Sequence, residues 1–350
     1  MRTEDFVYEL PQRLIAQTPI EPRDASCLLV LERSDGSITH RHFRDIGEYL
    51  RPGDLLVANE SRVIPARLYG RKVPSGGKVE LLLVSRRDEL SWEALVRGRH
   101  VRAGNRIGLP DVGHPLPADE YEIIGEVIEE TASGGRLVRF PQPIEPLLDH
   151  LGVVPLPPYI RTPLADAERY QTVYARIRGS AAAPTAGLHF TPELIESLQA
   201  QGIAFAFVLL HISLDTFRPV QEENVEEHTI YSEYCELSPQ TAESINQAKA
   251  EGRRVIAVGT TSVRVLETAA LQAVPPAVIS PFSGWTRLYI YPGFRFRVVD
   301  ALITNFHLPR STLLLLVSAF ASREPILRAY QEAIQREYRF YSFGDAMLIL

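Results

Sequence analysis

RRVIAVGTTSVRVLETAA, residues 253 to 270, runs a short apolar segment into Gly259 and then into a helix-patterned segment. Val255 to Val258 read as a buried strand. Gly259, Thr260, Thr261 and Ser262 form the N-cap region of the following helix. The same alternation extends outward on both sides. Upstream, TPELIESLQAQG (191–202) is a capped helix leading into the apolar strand IAFAFVLLH (203–211), and SPQTAESINQAKAEG (238–252) is a second helix. Downstream come a strand near RVVDALITNF (297–306), a helix from Ser311, a helix from Pro325 with Ile326, Leu327, Tyr330 and Ile334 on one face, and a terminal strand at MLIL (347–350). Helix and strand in alternation define an α/β fold, here a layered α/β/α main domain.

The first 60 residues continue the pattern, with CLLVLERS (27–34) and DLLVAN (54–59) as strands around RHFRDIGEYL (41–50). Between Val63 and Leu148 the signal changes. ARLYGRKV, KVELLLVS, WEALVRG, YEIIGEVIEE and GRLVRF are short alternating segments separated by Gly, Pro, Ser and Asp clusters. They read as antiparallel strands, whose edges a small barrel removes. The expected organisation is therefore a discontinuous α/β domain (1–60 and 155–350) with an inserted antiparallel β-barrel domain (61–154). The proline-rich PLPPY (155–159) suits the return crossover.

Composition narrows the function. With 350 residues, 45% hydrophobic, the chain can bury a large core. Its most apolar run, Leu313 to Val317 extended by Ala319 and Phe320, is far shorter than the roughly 20 residues of a membrane span. MRTEDFVYELPQRL carries charges where a signal peptide is apolar, so a cytoplasmic location is expected. Cys27 and Cys235 form no CxxC pattern, which supports neither a disulfide framework nor structural zinc. Three lysines stand against 34 arginines, so arginine carries the anion binding. Although the net charge is −6, Ser61 to Arg106 hold 11 basic and 4 acidic residues, a local +7. Such an excess is the pattern of a phosphate-contacting surface, and equally that of arginines scattered on solvated strands.

GxGxxG after a strand, GxxxxGK[ST], HExxH and GxSxG are all absent. What remains is a set of polar strand exits: His211; Gly259, Thr260, Thr261, Ser262 and Arg264; and Asn305 with His307. Open α/β sheets bind ligands outside the carboxyl ends of their strands, so three such exits predict one cleft. Taken singly, each also reads as an ordinary cap or turn. PTAGLHFT (184–191) adds a loop shaped by Pro184 and Gly187 that ends at a helix capped by Thr191. It can hold a ligand, or it is a connection whose His189 caps a neighbouring element. QEENVEEHTIYSEY (221–234) offers His228 and Glu233 but no full metal-ligand set, and no metal is expected. In YRFYSFGDAM, Tyr338, Phe340, Tyr341 and Phe343 read as core, and Asp345 follows Gly344 at a turn.

DFVYELPQRLIAQTPIEPRDASCLLVL, ESRVIPARLYGRK, YQTVYARIRGSAAAPTAGLHFTPEL, VIAVGTTSVRVLET, YIYPGFRFRVVDALITNFHLPRSTLLLLVSAFA and YRFYSFGDAMLI together resemble the S-adenosylmethionine:tRNA ribosyltransferase-isomerases of queuosine synthesis. The resemblance runs nearly end to end and implies an α/β domain interrupted by a β-barrel. It also implies transfer and isomerisation of the ribosyl part of S-adenosylmethionine onto 7-aminomethyl-7-deazaguanine in a tRNA anticodon. The products are epoxyqueuosine, adenine and methionine, with S-adenosylmethionine as co-substrate and no prosthetic group. Such chemistry needs a base beside the sulfonium, a donor for departing adenine and a cradle for the anticodon loop. His189 is the expected proton-transfer residue, with His211 and Arg264 beside it. Pro184, Thr185, Ala186, Gly187, Phe190, Gly259, Thr260, Thr261, Ser262, Asn305 and Asp345 are expected around S-adenosylmethionine. Arg62, Arg67, Arg71 and Lys72 are expected on the tRNA, and the chain is expected to act as a monomer. A tRNA-binding protein without activity would share the basic segment, and a nucleoside-cleaving hydrolase would share the cleft. The family's LHVGLGTF appears here as LHISLDTF, with Ser213 and Asp215 in place of glycines, and Tyr231 stands where a histidine is common.

Overall fold

The computed structural model describes residues 1–111, 120–131, 134–213, 219–230 and 232–350; Asp215 and Tyr231 lie outside them. The chain forms two compact units: residues 1–62, 157–177 and 183–350, and residues 63–156 with 178–182.

The first unit is built on a nine-stranded sheet. In spatial order its strands are Phe282–Thr286, Glu233–Leu237, Ala204–Leu210, Leu55–Asn59, Val255–Val258, Ala301–Asn305, Ala346–Ile349, Cys27–Leu31 and Ile38–His42. Four neighbours, Ala204–Leu210 to Ala301–Asn305, run parallel. Leu55–Asn59 and Val255–Val258 are buried at every position, which explains their unbroken apolar sequences: strands covered on both faces have no solvent side to alternate toward. One face packs Leu28, Leu56, Ala58, Ile256, Val258 and Ile303 against helix Pro192–Ala200 and the 3-10 segment Phe43–Tyr49. The opposite register, Leu29, Val57, Ala257, Leu302 and Met347, is equally buried. Helix Thr260–Leu271 packs on the central strands.

Two pairings position the site. Ala346–Ile349 lies antiparallel to Ala301–Asn305, with Asn305 opposite Ala346, and parallel to Cys27–Leu31. The turn before Ala346 and the entry to Cys27 are thereby brought to the sheet edge where Asn59, Leu210, Val258 and Asn305 end.

The second unit is a closed six-stranded antiparallel barrel. Arg67–Val73, Lys78–Arg86, Ser91–Arg97, Arg136–Arg139, Ile123–Glu130 and Arg106–Leu109 pair in that order, and Arg106–Leu109 returns to Arg67–Val73. Closure leaves no free edge among these strands. Along Arg67–Val73 the two-residue period turns Arg67, Tyr69 and Arg71 to one side, and Leu68, Gly70 and Lys72 to the other.

Candidate active site

The PTAGLHFT loop forms a 3-10 turn, Thr185–His189, followed by helix Pro192–Ala200, whose first turn is capped by Thr191 Oγ1 accepting from the Leu194 amide at 3.1 Å. Gly187 is required for space rather than for an unusual backbone angle. A Cβ there would lie 2.8 Å from Thr172 Cγ2 and collide with the Tyr174 hydroxyl. The turn thus lies directly on its neighbours and holds Pro184, Thr185 and Ala186 along a cleft.

That cleft sits at the carboxyl ends of the parallel strands. It is lined by Ala183 to Ala186 from the turn, Gly259, Thr260 and Thr261 from the Val258 exit, Thr304, Asn305 and His307 from the Ile303 exit, and Ile212 and Leu313. Gly259 adopts φ 88°, a conformation that a side chain would strain, and this bend points the start of helix Thr260–Leu271 at the cleft. The cleft continues through Thr185, Asn305, His307 and Leu313 into a second compartment lined by Tyr159, Phe306, Leu308, Ser311, Tyr341 and Ser342. The rings of Tyr159 and Tyr341 lie 4.9 Å apart. A further opening is lined by His189, Arg23, Arg169, Ser342 and Gly344.

The polar groups are tightly organised. Asn305 donates through Nδ2 to the Tyr341 carbonyl and to His189 Nε2, each at 3.2 Å. His189 therefore carries its proton on Nδ1 and donates it to Ser26 Oγ at 2.7 Å, while its ring stacks on Phe43 with 5.0 Å between centroids. Burial, with Arg339 and Arg23 nearby, pushes its pKa down to about 3. Burial does the same to His307. His307 is held by its backbone, its amide donating to the Tyr330 hydroxyl at 2.9 Å and its carbonyl accepting from Tyr8. Its Nε2 meets Thr304 Oγ1 at 2.7 Å.

Of the residues expected around the ligand, Pro184, Thr185, Ala186, Gly259, Thr260, Thr261 and Asn305 line the main cleft together. The others lie apart from it. Phe190 is fully buried in the core, edge-on to Phe43 and Phe205. Ser262 turns its hydroxyl back to the Val258 carbonyl at 2.8 Å. Asp345 accepts the backbone amides of Cys27 and Arg339 at 2.9 and 2.7 Å, tying the turn before Ala346 to the neighbouring strand. His189 faces the opening beside Arg23 and Arg169.

His211 stacks beside Tyr234, its backbone amide bonded to the Tyr234 carbonyl, and burial lowers its pKa. Arg264 is buried against Glu233 and donates through Nε to the Leu288 carbonyl at 3.1 Å. Glu233 also accepts the Ser213 amide at 2.8 Å, so this ion pair anchors the chain just beyond His211. His228 pairs instead with Glu222 at 2.8 Å. Among the described residues no three potential metal ligands cluster, and no helix is long and apolar enough to cross a membrane.

Of the residues expected on tRNA, Arg62 pairs with Glu168 in the first unit. In the barrel, Arg67 approaches Glu80 at 3.4 Å, Arg71 donates to the Gly76 carbonyl at 3.2 Å, and Lys72 to the Arg99 carbonyl at 2.8 Å. Thr304, Tyr159, Tyr341 and Ser342 complete the cleft without having been singled out as ligand contacts, and His307 does so as one of the expected polar strand exits. The pairing of Ala346–Ile349 with Ala301–Asn305 brings Tyr341 and Ser342 to Thr304 and His307, and the Tyr159 hydroxyl meets Ser342 Oγ at 2.7 Å.

A mixed α/β sheet with a polar cleft at its strand exits, accompanied by a closed antiparallel barrel, defines a two-unit α/β enzyme. The chain belongs to the family described as queuosine biosynthesis protein, whose model matches residues 3–349. It is 56% identical over 353 residues to the S-adenosylmethionine:tRNA ribosyltransferase-isomerase of Moorella thermoacetica, with all of both chains covered. The protein of the same name from Staphylococcus haemolyticus is 51% identical, again over the full length of both. The crystal structure of S-adenosylmethionine tRNA ribosyltransferase from Thermotoga maritima is 42% identical, with a TM-score of 0.56, and the similarity covers 99% of this chain and 100% of that one.

Proposed function

We propose that this chain transfers and isomerises the ribosyl group of S-adenosylmethionine onto 7-aminomethyl-7-deazaguanine in tRNA, giving epoxyqueuosine and releasing adenine and methionine. One observation carries the reading: three segments distant in sequence, 183–186, 259–261 and 304–307, converge on one cleft at the strand ends. Full-length identity to relatives named for this reaction supports it.

S-adenosylmethionine occupies the cleft. His307 is the proton-transfer residue: it lines both compartments, burial keeps it neutral, and with the Thr304 hydroxyl donating to the Asn305 carbonyl its Nε2–H donates to Thr304 Oγ1, the tautomer that leaves the lone pair on Nδ1. His189 acts through Asn305, because its own Nε2 is occupied by the Asn305 amide. Arg264 and Glu233 hold the segment that carries His211 and Ile212. Arg67 and Arg71, on one side of their barrel strand, contribute tRNA phosphate contacts. The enzyme acts as a cytoplasmic monomer.

The test uses S-adenosylmethionine labelled in its ribose and tRNA carrying 7-aminomethyl-7-deazaguanine. Label should enter tRNA with one adenine and one methionine released per transfer. Adenine release without labelled tRNA would identify a hydrolase; binding with neither product would identify a tRNA-binding protein.

A further inference from the structure

Helix Thr260–Leu271 starts inside the cleft with its first turn uncapped. Among the described residues no side chain bonds its N-terminal amides. The nearby hydroxyls are engaged elsewhere: Ser262 bonds back to Val258, and Thr261 Oγ1 meets Asn59 Nδ2 at 3.4 Å. Among the described residues no Asp or Glu lines the cleft to complement this positive end. A buried, uncapped helix start of 12 residues suits an anionic group.

A second, independent feature lies one strand away. Asn305 is 2% exposed, and its Oδ1 is buried without a hydrogen-bond partner. Its orientation is fixed chemically. The Tyr341 carbonyl can only accept, so the amide nitrogen must face it, and the oxygen is the atom left over. Asn305 lines both compartments, which places this unfilled acceptor in the cleft wall. Its strand is the parallel neighbour of Val255–Val258, and the Gly259 amide donates to the Ile303 carbonyl at 2.8 Å. Donors at the helix start and an acceptor on Asn305 are therefore carried by adjacent strands, whose backbones lie about 4.8 Å apart. A carboxylate and an ammonium on one carbon match that pair. The other compartment, with Tyr159, Phe306 and Tyr341, offers aromatic surface suited to a flat nucleoside.

We infer that the α-amino-acid end of S-adenosylmethionine docks at the start of helix Thr260–Leu271, its carboxylate on the first-turn amides and its ammonium on Asn305 Oδ1, with the nucleoside directed toward Tyr159 and Tyr341. This assignment rests on the proposed function and fixes which way the substrate lies. It makes the methionine half the anchor and leaves His307, which borders both compartments, beside the sulfonium and ribose that join the two halves.

The experiment compares calorimetric binding of S-adenosylhomocysteine with that of 5′-methylthioadenosine, which keeps the nucleoside and thioether but lacks the amino acid. The intact protein should prefer S-adenosylhomocysteine by roughly thirtyfold, in the range of a few charge-assisted hydrogen bonds. Thr260→Pro removes one first-turn amide at a helix position that proline favours, and Asn305→Leu removes the acceptor. Each should bring the preference below about tenfold, with 5′-methylthioadenosine affinity falling less than that of S-adenosylhomocysteine. Thr260→Pro, compatible with the helix, keeps the test decisive if Asn305→Leu misfolds. An intact enzyme that labels tRNA yet binds the two ligands equally would overturn the orientation and leave the proposed reaction standing. Equal weakening of both ligands by the variants would also overturn it, by assigning these groups to the nucleoside. Failure of the intact protein to label tRNA would instead sink the reaction itself.

Discussion

The amide of Asn305 and Nε2 of His189 share a hydrogen bond of 3.2 Å across 116 positions of sequence. Through it a histidine that does not line the main cleft joins the Tyr341 carbonyl in holding a side chain that does. His189→Ala should leave the Asn305 carboxamide held by the Tyr341 carbonyl alone and loosen it, raising KM for S-adenosylmethionine about tenfold with a smaller change in kcat. A hundredfold fall in kcat at unchanged KM would instead make His189 the proton-transfer group.

His307→Ala should show the opposite division. Loss of a positioned proton-transfer group costs about a hundredfold or more in kcat. S-adenosylhomocysteine should still bind within a fewfold of the unaltered protein. Normal single-turnover rates for the variant would remove His307 from the chemistry.

Arg264 and Glu233 form an ion pair with side chains only 5% and 3% exposed. Removing one partner strands a buried charge, so Arg264→Met should lower stability by about 3–5 kcal/mol. Adding Glu233→Gln should recover much of that loss. Thermal unfolding of both variants checks this; a single variant as stable as the parent would show that water reaches the pair.

His189 and His307 also set the acid limit. Their pKa values fall from 6.5 to about 3 on folding. Below pH 6.5 the unfolded chain binds protons that the folded one refuses, so the stabilisation is complete above pH 6.5 and declines as pH falls toward 3. Each imidazole contributes a slope of up to about 1.4 kcal/mol per pH unit in that window. Urea unfolding of His307→Gln between pH 7 and 4 should therefore show a shallower decline than the parent. Parallel curves would mean the imidazole is protonated in the folded state.

On the barrel, Arg67→Ala with Arg71→Ala should weaken tRNA binding and reduce the slope of log affinity against log salt by roughly 1.4, at about 0.7 per single-strand phosphate contact. Lys72→Ala should leave that slope alone, since its side chain lies on the other side of the strand and bonds the Arg99 carbonyl. An unchanged slope in the double variant would put the tRNA on another surface.

Local pattern made much of this molecule legible. Val255–Val258 running into Thr260–Leu271 announced the α/β sheet, and the alternation in ARLYGRKV and WEALVRG announced the barrel. The strand exits at Gly259 and Asn305 were legible because polar residues ending apolar strands have few other uses. Side-chain direction around a tight turn was not. His189 and Phe190 are adjacent, yet one reaches a side opening and the other enters the core, a choice made by packing against Phe43 and Phe205. The tie from Asp345 to Cys27 was not legible either, because the two become neighbours only after the sheet is assembled. The separation of Lys72 from Arg67 and Arg71 was present in the two-residue period of their strand.

Ala346–Ile349 pairs in parallel with Cys27–Leu31, and its Asp345 reaches a residue 318 positions earlier. That strand separates Ala301–Asn305 from Cys27–Leu31, so the sheet cannot close around it from local contacts alone. Pairing over such a span carries a large loop-closure entropy before its contacts repay it, and topologies dominated by distant pairing fold slowly. The barrel, whose strands lie between Arg67 and Arg139, has no comparable delay. The two units should therefore mature at different times, and since Ala346, which faces Asn305 on one side, meets Leu28 on the other across this late pairing, substrate affinity should be among the last properties the protein acquires as it folds.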